Sequence, residues 1–414
     1  MNITYLTWGE TPRSYGVFGS QVIQQFYETS KEMLDDNFYF ISAVPIIHSG
    51  LLREKWNYSK EIQKIRENLN TISFIKIPIY STQNFFNSTK TTFELMHGIS
   101  HVHLKNTFKK IKPDIVHCRS YHAAWAALEV KNKYKFNYKI VFDGRGLWPE
   151  ETALKHNFSD TSIDYLFLKN IEKKLLSQCD VSIAVSDTMY NYYKKTGAKR
   201  TERIYLSSST HKLAPLNLKK NRNDNTITFC YVGALSDDAW HQPEQLLELY
   251  KHLRTTLKRI QLIIVTTSNH SKIQKYFHDI PESEITYTST KSIDELKAVL
   301  DKSDFGIMSY FKPLTKREKL LGNMVLAVKT VEYLSSGLPI IVNKSCGGAA
   351  LVAEKYKVGI AYDFDTFKEL TEEKINSLLR EEVRQKSINT AKDLFDYKTN
   401  AQRYSNLYFS LLAK

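Results

Sequence analysis

The stretch Val328-Lys329-Thr330-Val331-Glu332-Tyr333-Leu334-Ser335-Ser336-Gly337-Leu338-Pro339-Ile340-Ile341-Val342 joins a charged helix face directly to a buried strand. Lys329, Glu332, Tyr333 and Ser336 recur at helical spacing and Gly337 supplies a helix stop. Pro339 opens the next segment, and Ile340 to Val342 is the unbroken apolar run of a parallel core strand. A helix feeding such a strand is a step of an α/β fold. Its face carries an ammonium and a carboxylate, so at a sheet end Glu332 can hold a ribose diol and Lys329 a phosphate. The same spacing also fits a surface i, i+3 ion pair contributing about 0.2–0.5 kcal/mol.

Outward from this junction, strand-like runs alternate with helical patterns along the whole chain, which predicts two doubly wound α/β units rather than a sandwich or bundle. Predicted strands in the first half are residues 3–7, 38–43, 72–79, 115–118, 139–143 and 181–185, with helices at 20–34, 122–133 and 164–178. Strands resume at 227–232, 262–266, 285–288, 305–309, 339–342 and 359–362, after a polar run at 206–225 that loses the pattern. The expected organisation is a Rossmann-like domain over residues 1–205, a linker over 206–226, a second such domain over 227–394 and a terminal helix over 395–414. The helical pattern of 389–412 carries Phe395, Tyr397, Tyr404, Tyr408 and Phe409, too many aromatics for a free tail. That helix can dock on its own domain or cross back to the first. Two such domains facing each other would place ligands in a central cleft at the carboxyl ends of both sheets.

Composition agrees with two domains, because 414 residues, 42% of them hydrophobic, exceed the size at which one core keeps growing. Cys118, Cys179, Cys230 and Cys346 show no metal-ligand or CxxC spacing, as expected of a reduced, cytoplasmic protein. The chain opens on the strand-like Asn2-Ile3-Thr4-Tyr5-Leu6-Thr7 with no leader pattern, and no run reaches the length of a membrane span. A formal charge of +14 favours anionic partners. Nucleic acid is excluded by the lack of any recognition-helix, zinc-finger or aromatic RNA-platform motif. Nucleotide phosphates and an anionic membrane surface fit better. Basic clusters at 105–112, 194–203 and 219–222 can rest on lipid headgroups, and each can equally be a solvated face.

Several shorter motifs belong at strand ends. Gly16-Val17-Phe18-Gly19-Ser20 follows the first strand, where Gly16 and Gly19 let backbone N–H groups approach an anion, or simply form a tight turn. In Asp143-Gly144-Arg145-Gly146, Asp143 can accept from sugar hydroxyls or take a proton and Arg145 can bind phosphate; an Asp–Arg pair bracing a turn is the alternative. His117 and Arg119 end the preceding strand, and Glu150 and Glu151 open the next helix. Ser345-Cys346-Gly347-Gly348 begins a helix whose Gly347 and Gly348 offer another N–H nest. Asp237-Asp238 is not an Asp-x-Asp metal motif and no other oxygen-ligand cluster stands out, so no metal or other cofactor is expected.

The Lys329-x-x-Glu332-Tyr333 helix followed by Gly337-x-Pro339 resembles the donor-nucleotide signature of family-4 retaining glycosyltransferases, which have the two-domain GT-B fold. Phe142-Asp143-Gly144-Arg145-Gly146 is similar to a strand-closing stretch in one branch of that family. Ser182-Ile183-Ala184-Val185-Ser186 and Tyr231-Val232-Gly233 fall where members keep a strand with serine and the first strand of the second domain. The resemblance implies a nucleotide-sugar donor, a glycan or lipid-linked acceptor, a metal-independent reaction at the inner face of the membrane, and a terminal helix that crosses back. Two departures stand out. Where relatives carry a first glutamate eight residues before the second, this chain has Met324. Where they carry Arg and Lys after Val-Gly, it has Gly233-Ala234-Leu235-Ser236-Asp237-Asp238-Ala239-Trp240-His241, with His241 the single candidate cation. Phosphate charge must then come from elsewhere, such as Lys312, Lys316, Arg317, Lys319 or Lys329, and both a diphosphate donor bound by Lys316 or Arg317 and a monophosphate donor needing fewer cations stay open. A nucleotide-sugar epimerase of the same architecture and a non-catalytic, sugar-binding scaffold remain as alternative functions.

Overall fold

In a computed structural model of the chain, residues 1–10, 12–14, 16–45, 55–69, 71–80, 89–215, 217, 225–237 and 239–413 are described. The chain divides into two compact units, Met1–Ser207 with Tyr397–Lys414, and Ser208–Asp396. The basic cluster at 219–222, part of the expected linker, and Asp238 lie outside the described residues.

Among the described residues the first unit holds seven strands, β1 (Asn2–Trp8), β2 (Asn37–Pro45), β3 (Ser73–Ile79), β4 (Ile115–Arg119), β5 (Lys139–Asp143), β6 (Val181–Ala184) and β7 (Thr201–Arg203). They run in the order β3-β2-β1-β4-β5-β6-β7, every neighbouring pair parallel. All of β4 and β6 is buried, as parallel strands covered on both faces must be. The second unit pairs β8 (Ile227–Val232), β9 (Ile260–Val265), β10 (Ile285–Thr288), β11 (Phe305–Met308), β12 (Ile340–Asn343) and β13 (Gly359–Tyr362) in the order β10-β9-β8-β11-β12-β13, again all parallel. In each sheet the strand order reverses once, between β1 and β4 and between β8 and β11. Those reversals part the loops above the strands and leave a crevice at the carboxyl ends.

Each expected strand has a counterpart, and β7 adds one that carries no strand signal in the sequence: Thr201-Glu202-Arg203 is a short, polar edge strand without an apolar run. The helix expected at 20–34 begins instead as a π-helical turn, Gly19–Gln24, before Gln25–Lys31. Residues 389–412 form two helices, Glu381–Phe395 and Tyr397–Leu412, interrupted at Asp396, whose φ of −67° and ψ of 139° are extended. The interruption is held by Asp396 Oδ2, which accepts from Thr210 Oγ1 at 2.7 Å. It redirects the chain, so that Glu381–Phe395 packs on Val328–Ser335 while Tyr397–Leu412 packs on Gln25–Lys31 of the first unit. The terminal helix buries Tyr397, Ala401, Tyr404, Tyr408 and Leu411, the i, i+4, i+7 spacing of one face. Tyr404, Leu407, Tyr408 and Leu411 complete a core with Ile3, Tyr5, Phe26 and Phe40. Phe409 points outward, 51% exposed.

Candidate functional site

The helix Val328–Ser335 is pinned at the reversal of the second sheet by Tyr333. Its buried hydroxyl accepts the Val232 N–H of β8 at 2.8 Å and donates to the Ile307 carbonyl of β11 at 3.2 Å, so one side chain ties the helix to both strands. A Cβ on Gly306 would collide with the Tyr333 ring, and only glycine lets the helix lie this close. With Tyr333 turned into the sheet, Lys329 and Glu332 are left half-buried at the carboxyl end.

Lys329 Nζ donates to Tyr231 Oη at 3.1 Å and stands 4.3 Å above the Tyr231 ring centroid. Tyr231 is fixed in turn by donating to the Ala234 carbonyl at 2.6 Å. Gly233, at φ 125°, closes the other side: a Cβ there would lie 3.1 Å from Lys329 Nζ. Glu332 is near enough to act on the lysine electrostatically, yet no ion pair joins the two among the described residues. Burial therefore lowers the Lys329 pKa to about 7, offset only partly by Glu332. Burial likewise raises the Glu332 carboxyl, partly offset by Lys329. A desolvated ammonium without a bound carboxylate is a cation short of an anion.

The glycines of the neighbouring loop serve packing. A Cβ on Gly347 would lie 2.5 Å from the Asn323 carbonyl, and one on Gly348 2.5 Å from the Val325 carbonyl. Their absence lets the end of helix Lys316–Met324 abut the start of helix Gly347–Lys355. That helix start has Cys346 at its N-cap, with no side-chain capping hydrogen bond, and Cys346 is close enough to Lys329 to feel its charge. Lys329 and an open helix N-terminus thus lie side by side. Lys316 and Arg317 are not brought to them. Both sit in the first turn of Lys316–Met324, behind a capping box of Thr315 and Glu318, at the end away from Gly347. Lys312 is exposed and engaged by Asp365. Met324, in the position of the relatives' first glutamate, is buried. His241 does not supply the missing cation: burial, assisted by the Lys329 charge, pushes its pKa well below the usual value, and it packs edge-on against Tyr231 and Tyr310. Beside it Trp240, 44% exposed, stacks on Tyr310 at 5.6 Å, an aromatic surface that a loop tryptophan signals only weakly in sequence.

In the first unit the expected strand-end residues take a different form. Asp143, expected where it could meet sugar hydroxyls, is wholly buried. Arg145 Nε lies 2.8 Å from its Oδ2, and His117 Nε2 3.5 Å from the same atom. Burial pushes the Asp143 carboxyl up, but Arg145 and His117 outweigh it and hold it below its usual range. Burial lowers the His117 pKa, so the ring is neutral near pH 7. Because the carboxylate can only accept, the ring proton belongs on Nε2, leaving Nδ1 to accept from Tyr408 Oη at 2.7 Å. The terminal helix is thus keyed to the strand end. Arg145 adopts φ 62° and donates through Nη2 to the Gln21 carbonyl at 3.1 Å. This is the Asp–Arg brace, extended to four side chains.

Arg145 also lines a cavity of about 340 Å³ above the reversal of the first sheet, with Glu10, Arg119, Ser120, His122, Trp148 and Glu151. Arg119 Nε donates to Glu10 Oε1 at 3.0 Å, and Ser120, like Arg145, holds a left-handed backbone, φ 71°. Glu151, tucked under Gly146, has its pKa raised by burial. Gly16 and Gly19 flank this unit's first helical turn; Gly16 has φ 64°, and a Cβ on Gly19 would lie 2.5 Å from the Ser14 carbonyl. Among the described residues no group of three or more His, Cys, Asp or Glu could hold a metal ion, and no helix is long and apolar enough to cross a membrane.

Residues 84–206 match the family profile described as Glycosyltransferase Family 4, and residues 216–394 the one described as Glycosyl transferases group 1. No curated protein matches the chain by sequence. Among solved structures, sucrose-phosphate synthase from Thermosynechococcus elongatus superposes with a TM-score of 0.65 at 14% identity, over 99% of this chain and 98% of that one. HepE of Anabaena, solved in complex with UDP, gives 0.66 at 14% identity over 99% and 100%. The lipopolysaccharide outer core galactosyltransferase WaaB, in its apo form, gives 0.66 at 15% identity over the whole of both chains. At such identities the likeness is one of fold.

Proposed function

The chain belongs to the family-4 glycosyltransferases of the GT-B fold, and from that premise we propose that it transfers a sugar, with retained anomeric configuration, from a nucleotide diphosphate sugar to a surface glycan or its lipid-linked precursor. The observation that carries the donor assignment is Lys329, a desolvated cation with no ion-pair partner among the described residues, beside the open N-terminus of Gly347–Lys355. Glu332, whose carboxylate makes no hydrogen bond among the described residues, takes the ribose diol. HepE is solved with UDP and with UDP-glucose, which makes a uridine donor the first to test.

In the proposed reaction the bond from the sugar C1 to the diphosphate oxygen breaks, and the leaving nucleoside diphosphate carries away the electron pair. The acceptor hydroxyl oxygen bonds to C1 from the same face, and its proton passes to the leaving diphosphate. Lys329 and the helix N–H groups stabilise charge that grows on the diphosphate as the bond breaks, so they act on the transition state more than on the bound donor. Such catalysis needs neither a protein nucleophile nor a metal. The cavity at Arg145, Arg119 and Glu151 is our candidate for the acceptor, with Arg145 contributing its charge and Asp143 positioning it. The enzyme is proposed to work at the inner face of the membrane, drawn there by its positive charge.

The test is to incubate purified protein with a panel of nucleotide-sugars, with and without lipid-linked acceptor. Release of nucleoside diphosphate only with acceptor supports transfer. Donor conversion without acceptor would point to an epimerase, and no consumption to a scaffold.

A further inference from the structure

The cavity above the reversal of the first sheet is walled by charged side chains that cancel one another. Arg119 donates through Nε alone to both oxygens of Glu10, at 3.0 and 3.1 Å. Arg145 is held against Asp143 at 2.8 Å. His122, whose pKa burial lowers to about 3, is neutral near pH 7. Glu151 joins no ion pair among the described residues, and burial raises its carboxyl. Two cations are thus met by two carboxylates, and the charge left over is the negative charge of Glu151 whenever it ionises. An anionic ligand would find both guanidiniums committed and a further carboxylate beside it.

Hydrogen bonding, by contrast, is left open. Arg119 Nη1 and Trp148 Nε1 are buried with no hydrogen-bond partner among the described residues, and both side chains line the cavity. Buried N–H groups are nearly always satisfied, so two orphans around one cavity mark where the oxygens of a bound molecule belong. Both donors are fixed in place. Trp148 packs on Phe93 at 5.7 Å, Tyr121 at 5.5 Å and His122 at 4.7 Å, and Glu10 anchors Arg119. Glu151 lies against the backbone where Gly146 lacks a Cβ, and its carboxyl can accept from a hydroxyl or, when protonated, donate to one. Fixed donors beside such a carboxyl suit a polyhydroxylated molecule, and Trp148 and Tyr121 add aromatic surface for the C–H faces of a sugar ring. At about 340 Å³ the cavity is near the lower end of ligand pockets, roughly 300–1,000 Å³, which suits a single sugar residue rather than a long chain.

Resting on the assignment of this cavity to the acceptor, we infer that it binds an electrically neutral sugar, the acceptor's reacting residue, through Arg119, Trp148 and Glu151, and discriminates against uronic-acid and phosphorylated sugars. A guanidinium whose charge is balanced still makes a strong hydrogen bond to a hydroxyl, while it has no net charge to offer an anion.

The test is ligand-observed NMR of the wild type with methyl pyranosides of glucose, galactose, mannose and N-acetylglucosamine, and with the uronates and 6-phosphates of the first three, near neutral pH with UDP absent and present. At least one neutral glycoside should bind about tenfold or more tightly than its charged counterparts. Trp148→Phe keeps an aromatic ring and removes the N–H, and Arg119→Lys keeps the charge beside Glu10 and removes Nη1. Each should weaken that glycoside about tenfold, in proteins whose urea midpoints show them folded. Glu151→Gln should narrow the preference over the uronate. A charged sugar bound as tightly as its neutral counterpart, no glycoside bound by the wild type, or folded variants that behave as the wild type would each overturn the inference; should a variant not fold, the wild-type comparison decides alone. Binding of a neutral glycoside without transfer from any nucleotide-sugar would uphold the sugar site and remove the transferase reading. Transfer to charged acceptor sugars alone would keep the transferase and overturn the inference.

Discussion

Raising the pH from about 6 to about 8 should weaken binding of UDP-glucose roughly tenfold, because Lys329, the cation of the proposed donor site, loses its charge over that interval. With a pKa of about 7, Lys329 is roughly nine-tenths protonated at the lower pH and one-tenth at the upper. If only the ammonium form accepts the diphosphate, apparent affinity follows that fraction, a change of about 1.4 kcal/mol. The bound diphosphate then raises the lysine pKa, so binding near pH 7 takes up about half a proton. Calorimetry in two buffers of different ionisation enthalpy measures this directly. UDP-glucose is the suitable probe, since its diphosphate is a diester with no group titrating in the interval. Lys329→Arg keeps the charge at all these pH values and should flatten the profile. The same shift has a stability consequence of fixed sign. The folded pKa lies below the unfolded value of 10.5, so between about 7 and 10.5 the unfolded chain holds more protons and stability rises with pH. Lys329→Met should therefore be more stable than wild type at about pH 6. A flat wild-type affinity with no proton uptake, or a slope that survives in Lys329→Arg, would refute the reasoning.

Asp143→Ala should lower folding stability by about 3–5 kcal/mol in urea unfolding, because Arg145 is left buried without its counter-ion and His117 loses its acceptor; a loss below about 1 kcal/mol would mean the brace is incidental. Gly347→Ala should also destabilise, by about 1–3 kcal/mol, since its Cβ would be driven into the Asn323 carbonyl, with the thermal midpoint as the readout. Transfer activity should persist in EDTA, and activity abolished by chelation and restored by Mg²⁺ or Mn²⁺ would show that a metal carries part of the diphosphate charge.

How far these features are legible in sequence depends on the distance over which each is decided. The helix Val328–Ser335 and strand β12 show themselves locally, since side chains repeating at 3.6 residues followed by an apolar run leave few alternatives. Lys329 and Glu332 can accordingly be picked out as neighbours on one helix face at the end of a sheet. That they form no ion pair cannot, because it depends on Tyr231, 98 residues away, drawing the ammonium toward its hydroxyl. The same limit explains Asp143. Its motif is visible, but the His117 and Tyr408 pair that helps enclose it is separated by 291 residues. Gly347 and Gly348 look like an anion nest locally, whereas the contacts that require glycine come from the preceding helix. The break at Asp396 leaves no glycine or proline to mark it. Strand β7 is hidden for the opposite reason: Arg200 and Arg203 read as a solvated basic run until the terminal helix is placed against them.

The most direct measurement of the donor assignment is calorimetric titration of the nucleotide-sugar that most raises the thermal midpoint of the wild type, into wild type and into Glu332→Ala. Loss of charge-assisted hydrogen bonds to the ribose should cost about 1.5–3 kcal/mol, a weakening of one to two orders of magnitude, with the unfolding midpoint little changed. Equal affinity in the two folded proteins would contradict the placement of the donor at the helix Val328–Ser335.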